Sequence, residues 1–216
     1  MNKALMIALA LVVGAQHAAP LRSLAQTTGH EHHQHQAAAA QPDKLEAQPV
    51  AGLDIPDVPV MDQDGNTVRF YSDLVKGKVV AVNFVFTTCT TICPPMGANF
   101  AKLQKVLGER AGKEVHLISV SVDPATDTPE RMKAWGQKFG AGPGWTLVTG
   151  DRNEITRLLK ALGVYTPDIN DHSPLVLVGN DAQGQWTRAY GLAAPAKVAD
   201  LIDGVAAPAE AAHAHH

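Results

Sequence analysis

The chain has 216 residues, 45% of them hydrophobic, and carries 21 acidic against 18 basic residues. This composition is sufficient for the hydrophobic core of one domain. A net charge of −3 provides no basic surface of the kind that binds nucleic acid or an anionic membrane, so neither partner is expected.

Residues 1–25 are typical of a secretory signal peptide. Lys3 precedes an apolar run over residues 4–15, and Ser23-Leu24-Ala25 forms a small-x-small cleavage site. That run is too short to span a bilayer, and no later segment approaches the about 20 apolar residues of a membrane helix. We therefore expect an exported, periplasmic protein with no integral span in the mature chain, either soluble or anchored by an uncleaved N-terminal segment.

The segments 26–50 and 206–216 are rich in histidine and small residues and poor in branched apolar and aromatic ones. Such segments bury too little surface to offset the entropy of ordering, so both are predicted to be flexible. Their imidazole clusters can bind Cu(II) or Zn(II) weakly. The folded domain is expected at 51–205.

Hydrophobic periodicity predicts the elements of this domain in chain order. They are a hairpin of strands 58–61 and 67–71 around Asp64-Gly65, strand 78–86, helix 95–108, strand 114–122, helix 128–139, strand 145–149, helix 151–162, a hairpin of strands 175–178 and 185–189, and helix 196–205. Strands that alternate with helices and end in a hairpin and a helix predict an α/β layer fold with a mixed sheet.

The two cysteines of the chain, Cys89 and Cys93, lie where a buried strand is followed by a helix. This is the carboxyl end of the sheet, where open α/β folds place their chemistry. The helix dipole there lowers a thiol pKa, and a helical first turn would bring positions i and i+4 to one side. A disulfide, a redox pair and a metal site remain possible, although an oxidising compartment favours the disulfide unless the thiols are kept reduced or metallated.

Eight of the ten histidines lie in the terminal segments, which leaves His116 and His172. His116 is in the middle of a predicted strand, where a histidine of the core or sheet edge is expected. His172 is in a loop just before a strand, a position that carries functional groups more often. The local sequence alone gives a functional and a structural role of His172 equal weight.

Three motifs together, TTCTTICPPM, SVDPATDTPERMKAW and DHSPLVLVGNDAQG, resemble the Sco (SenC) family of copper-binding thioredoxin-fold proteins, which help to assemble the dinuclear copper centre of respiratory oxidases. The resemblance covers about residues 55–205. It implies a thioredoxin-like fold with a mixed central sheet, flanking helices and an N-terminal β-hairpin. It also implies that Cys89, Cys93 and His172 bind copper. Thr90 stands where the family usually has proline, which leaves the partner and the redox potential open.

The ligand chemistry agrees with this resemblance, because soft thiolates select Cu(I) whereas imidazole accommodates Cu(I) and Cu(II). A structural zinc site needs a fourth protein ligand, and none is evident. The expected function is a copper metallochaperone that serves the copper-accepting subunit of an oxidase, or another exported copper protein, with a thiol reductant protein as second partner. One alternative is a thiol-disulfide oxidoreductase in which Cys89 attacks. Another is an inert binding module with a structural disulfide.

Overall fold

The computed structural model describes residues 46–207. These residues form a mixed sheet of eight strands that is flanked by helices. The strands are β1 (Glu46–Val50), β2 (Pro59–Asp62), β3 (Thr67–Arg69), β4 (Val79–Val85), β5 (Val115–Ser121), β6 (Trp145–Thr149), β7 (Leu175–Asn180) and β8 (Gln185–Tyr190). The α-helices are α1 (Cys93–Leu107), α2 (Pro129–Phe139), α3 (Arg152–Ala161) and α4 (Pro195–Ala206). Within residues 46–207, no helix combines the length and hydrophobicity required to cross a membrane.

The strand order is β1-β8-β7-β4-β5-β6-β2-β3. Strands β4, β5 and β6 are mutually parallel, and the remaining pairs are antiparallel. Strands β4 and β5 lie at the centre of the sheet, and their side chains are buried on both faces and mostly apolar, as in parallel strands that are covered on both sides. The predicted mixed α/β architecture is therefore confirmed.

The side chains of β4 alternate between the two faces of the sheet and contribute to a hydrophobic core on each face. Ala81 and Val85 face a cluster that α1, α2 and α4 complete, whereas Val82 and Phe84 face a second cluster that includes α3 and Phe70. Successive strand side chains point to opposite faces, so one buried strand anchors both layers. Residues 86–92, called the cysteine loop below, follow the end of this strand and lead to α1.

Side-chain caps mark the starts of α2 and α3. The Thr128 hydroxyl accepts the backbone N–H of Arg131 at 3.3 Å, and the Asp151 carboxylate accepts the N–H of Asn153 at 2.8 Å. Each cap satisfies N–H groups that have no partner inside the helix.

The prediction of a flexible linker that extends to residue 50 is wrong at its end, because Glu46–Val50 forms β1. This strand pairs antiparallel with β8 over five residues, from Glu46 opposite Tyr190 to Val50 opposite Trp186. Backbone hydrogen bonds to the sheet edge order a segment that has few apolar side chains, and Pro49 is tolerated there because it lies in an edge strand. The folded region thus begins before residue 51.

Other predicted boundaries also change, and β7 continues to Asn180 instead of ending at residue 178. The strand predicted over 67–71 ends at Arg69 because the chain continues as a π-helical turn, Phe70–Val75. Helix α1 begins at Cys93 instead of residue 95. Pro94 and Pro95 are compatible with its first turn because the N–H groups there have no acceptor inside the helix. Ala206 still belongs to α4. The predicted signal peptide, the linker up to residue 45 and the tail from 208 lie outside the described residues.

Candidate functional site

The structure brings Cys89 and Cys93 together at the end of β4. Cys89 lies in the loop after the strand, Cys93 is the first residue of α1, and both are free thiols. The N–H of Cys93 donates to the sulfur of Cys89 at 3.3 Å. Cys93 is completely buried at 0% exposure, whereas Cys89 is partly exposed. The two cysteines are therefore close together, although Cys89 lies in the loop before the helix and not in the predicted helical first turn.

The two thiols have opposite pKa shifts. Partial burial works against ionisation of Cys89, but hydrogen bonds from the backbone and side chain of Cys93, and then from Thr91, outweigh it and lower the Cys89 pKa to about 7. Burial raises the pKa of Cys93 to about 12, and the nearby Cys89 and Asp127 add to that shift. Cys89 is thus the accessible thiol that ionises near neutral pH, and Cys93 is the covered thiol.

His172 follows a short 3-10 turn, Ile169–Asp171, and is only 7% exposed. Its Nε2 atom lies 2.9 Å from the backbone oxygen of Phe84, on the strand that leads into the cysteine loop. A carbonyl oxygen only accepts, so Nε2 carries the hydrogen and the lone pair is on Nδ1. Burial lowers the His172 pKa, and the Phe84 hydrogen bond opposes this. The ring is accordingly neutral at pH 7, as a metal ligand must be.

The structure does not gather the three predicted ligands into one cluster. Among residues 46–207, no group of three His, Cys, Asp or Glu side chains is close enough to hold a metal ion. His172 is instead hydrogen-bonded to β4. His116 is a half-buried residue of β5 opposite Val80, as its position in the sequence predicted, and burial lowers its pKa.

Sequence reasoning missed Asp127, a buried carboxylate that is hydrogen-bonded to Thr87 at the start of the cysteine loop. Asp127 belongs to the motif SVDPATDTPERMKAW and directly precedes Thr128, the N-cap residue of α2. An acid beside a helix start is most simply explained by the helix dipole. Its burial beneath a loop 40 positions away in the sequence has no local signal.

Residues 57–206 match the family model described as SCO1/SenC. The chain belongs to the SCO1/SenC family. The predicted family is therefore confirmed over more than half of the chain.

Individual relatives agree with this assignment. The SCO1 protein homolog of Bacillus subtilis is 40% identical over 132 residues, which are 56% of this chain and 66% of that protein. The alignment thus spans slightly less than two thirds of the relative.

Solved structures extend the likeness to the fold. The structure of Bradyrhizobium japonicum ScoI with copper bound is 27% identical, with a TM-score of 0.57 over 74% of this chain and 98% of that one. BsSco, described as a Sco family cytochrome c oxidase assembly protein with a disulfide switch, is 27% identical, with a TM-score of 0.57 over 76% of this chain and 95% of that one. This likeness confirms the predicted thioredoxin-like fold.

Proposed function

We propose that this protein is a copper metallochaperone that carries the ion as cargo on Cys89 and Cys93. The observation that carries the proposal is the pair of free thiols where the loop after β4 meets α1, with the N–H of Cys93 donating to the sulfur of Cys89. Thiolates are soft ligands that select Cu(I) over the harder divalent ions. Family membership and the copper-bound relative ScoI support the same cargo.

We further propose that His172 is the third ligand, through Nδ1. The Phe84 hydrogen bond occupies Nε2 and leaves the Nδ1 lone pair for a metal. The described residues do not group His172 with the thiols, so ligation requires the segment before β7 to shift relative to the cysteine loop. Two thiolates suffice for Cu(I), whereas Cu(II) also needs the imidazole.

The test is copper binding by the reduced protein, followed by stoichiometry and by the thiolate-to-Cu(II) absorption band. Wild type is expected to bind one ion, and Cys89→Ser or Cys93→Ser should abolish tight binding of both oxidation states. His172→Ala should weaken Cu(II) binding by about tenfold or more and Cu(I) binding less. His116→Ala is the matched control and should bind like wild type. Equal Cu(II) binding by the His172 and His116 variants would remove His172 from the ligand set.

The proposed recipient is the copper-accepting subunit of a respiratory oxidase or another exported copper protein. The relative BsSco belongs to a family of cytochrome c oxidase assembly proteins, and the N-terminal sequence predicts export. An oxidising compartment converts neighbouring free thiols to a disulfide, so a thiol reductant protein is proposed as second partner. Transfer would be seen as loss of the copper absorption band when an apo acceptor domain with two thiols is added.

A second candidate function, thiol-disulfide oxidoreductase, is favoured by one observation, the divergent pKa values of the thiols, about 7 for Cys89 and about 12 for Cys93. The Cys89 thiolate would attack a substrate disulfide and release one substrate thiolate. Cys93 would then lose its proton, attack the mixed disulfide and release the second, which leaves a Cys89–Cys93 disulfide and a substrate reduced by two electrons. The thiol reductant protein would restore the dithiol.

The two functions are separable by variants. Cys93→Ser should accumulate a mixed disulfide through Cys89, detected by mass spectrometry, if the oxidoreductase reaction operates. His172→Ala should leave that trapping unchanged but impair Cu(II) binding. Failure to trap any mixed disulfide with a small disulfide substrate would eliminate the second function.

A further inference from the structure

A buried carboxylate lies beneath the cysteine loop. Asp127 is 2% exposed, and its Oδ1 accepts both the N–H of Thr87 at 3.1 Å and the Thr87 hydroxyl at 2.6 Å. Its Oδ2 accepts the Ser121 hydroxyl at 2.6 Å. All three groups donate, so both carboxylate oxygens have hydrogen-bond partners although the side chain is buried.

The same residue connects the ends of the parallel strands. Thr87 follows β4, Ser121 ends β5, and the hydroxyl of Thr149, the last residue of β6, donates to the Asp127 backbone carbonyl at 2.7 Å. From α2, the Nε of Arg131 donates to the Thr87 hydroxyl at 3.2 Å. The Thr87 hydroxyl therefore donates to Asp127 and accepts from Arg131, which fixes its orientation.

Thr87 lies inside the turn that presents the first thiol. The N–H of Cys89 donates to the Phe86 carbonyl at 3.2 Å and closes that turn. Hydrogen bonds to a carboxylate are stronger than neutral ones, and a buried carboxylate cannot lose its donors without a large desolvation cost. The Asp127 carboxylate therefore holds the turn at Thr87, because it is buried and water cannot replace the Thr87 hydrogen bonds.

We propose that Asp127 is a positioning residue for the thiol pair. By holding Thr87 it fixes the turn 86–89, keeps Cys93 covered and sets the two sulfurs for one ion. The last of these roles rests on the proposed copper function, whereas the covering of Cys93 does not. Loss of the carboxylate should therefore loosen the cysteine loop in the metal-free protein and alter the copper centre in the loaded protein.

The first measurement uses the full, reduced, metal-free chain and counts alkylated thiols over time by mass spectrometry, at one pH and well below the melting temperature. Wild type should be modified quickly at Cys89 and slowly at Cys93. Thr87→Val, which keeps the Asp127 charge, should increase the Cys93 rate by about tenfold or more, the factor expected when a hydrogen bond to a charged group is lost. Asp127→Asn should increase it at least as much. Thr87→Ser keeps the hydroxyl and should restore the wild-type rate.

Asp57→Asn is the matched control. The Asp57 carboxylate also accepts one backbone N–H and one hydroxyl, both from Ser72, at 2.9 and 2.7 Å, but at the turn after β3. A general loss of stability at that site should leave Cys93 as protected as in wild type. This comparison separates a role at the thiols from a merely structural one.

The second measurement is the thiolate-to-Cu(II) absorption band, which should shift or weaken in Asp127→Asn but not in Asp57→Asn. Unchanged Cys93 protection together with an unchanged band would overturn the proposal. If Asp127→Asn does not fold, the pair Thr87→Val and Thr87→Ser decides, and equal behaviour of these two would overturn it. If wild type binds no copper through its thiols, the proposed function fails while the Cys93 result still tests Asp127.

Discussion

Cys89 and Cys93 lie four positions apart and yet differ in chemistry because one is partly exposed and the other is enclosed. The reactive species of a cysteine is its thiolate. Hydrogen bonds lower the pKa of Cys89 to about 7 against the opposing effect of burial, whereas burial raises that of Cys93 to about 12. The asymmetry suits both transfer of a metal, with one exposed ligand, and attack on a disulfide.

The first prediction is the pH profile of alkylation in the reduced, metal-free protein. The Cys89 rate should rise with pH and reach half its maximum near pH 7, because the thiolate fraction follows the pKa of about 7. Cys93 should remain slow throughout the neutral range. The rates are measured by mass spectrometry, with Cys93→Ser to isolate Cys89 and Cys89→Ser to isolate Cys93. A Cys89 midpoint near the ordinary cysteine value of about 8.5 would contradict the assignment.

The second prediction concerns acid stability through His172. Burial lowers its pKa below the usual 6.5, so below pH 6.5 the unfolded chain binds the proton more readily than the folded one. Its contribution to stability is therefore present above pH 6.5 and is lost as the pH falls through the folded-state value, by at most about 1.4 kcal/mol per pH unit. Urea unfolding of metal-free protein between pH 7 and 5 should show a smaller loss for His172→Asn. The half-buried His116 has the same sign of shift, so part of the loss should persist; an unaltered pH dependence would refute the role of His172.

At the scale of elements, the helix that begins at Cys93 is positioned by its contact with α2. A Cβ at Gly97, in α1, would lie 2.7 Å from ring carbons of Phe139, in α2. That distance is shorter than any relaxed carbon contact. Glycine is therefore retained inside α1 although it is a poor helix former.

The third prediction compares Gly97→Ala with Gly204→Ala in α4, where a Cβ meets nothing within 4 Å. Gly97→Ala should destabilise the protein by about 1 to 3 kcal/mol through overpacking. Gly204→Ala should stabilise it by about 0.5 to 1 kcal/mol, since alanine has the higher helix propensity. Chemical denaturation gives both values. Changes of the same sign in the two variants would show that the contact between α1 and α2 does not limit the approach of the helices.

At the scale of the whole molecule, β1 covers an edge of the sheet. It pairs with β8 over five residues, and β8 in turn pairs with β7, the strand that begins after His172. An uncovered edge exposes a row of unpaired backbone groups. The segment Glu46–Val50 therefore belongs to the folded unit although its sequence resembles that of a linker.

The fourth prediction tests that boundary with two shortened chains that begin at residue 46 and at residue 51. The second lacks β1 and should have a free energy of unfolding lower by about 2 kcal/mol or more, the sum of a few net hydrogen bonds. Its tendency to associate through the free edge of β8 should also be greater, as judged by light scattering. Equal stability of the two chains would place the boundary back at 51.

The sequence by itself determined the elements whose signals are local. Strands β4 and β5 are recognisable as apolar runs, α2 and α3 by their caps, and the thiol pair by its place between strand and helix. These features depend on neighbours within a few residues, so the local sequence pattern predicts them. The order of three motifs added the family and, with it, the expectation of copper.

Tertiary structure decided what depends on contacts between distant residues. The pairing of β1 with β8, the burial of Asp127 against Thr87 across 40 positions, and the hydrogen bond of His172 to Phe84 across 88 positions have no local sequence signal. Residues 46–50 form a strand because the edge of β8 is available for pairing. Asp127 is proposed to position the loop because donors surround its carboxylate. Each of these contacts joins groups that are far apart in the sequence. Their stabilising free energy is therefore gained only when the chain folds, and no local pattern can reveal it.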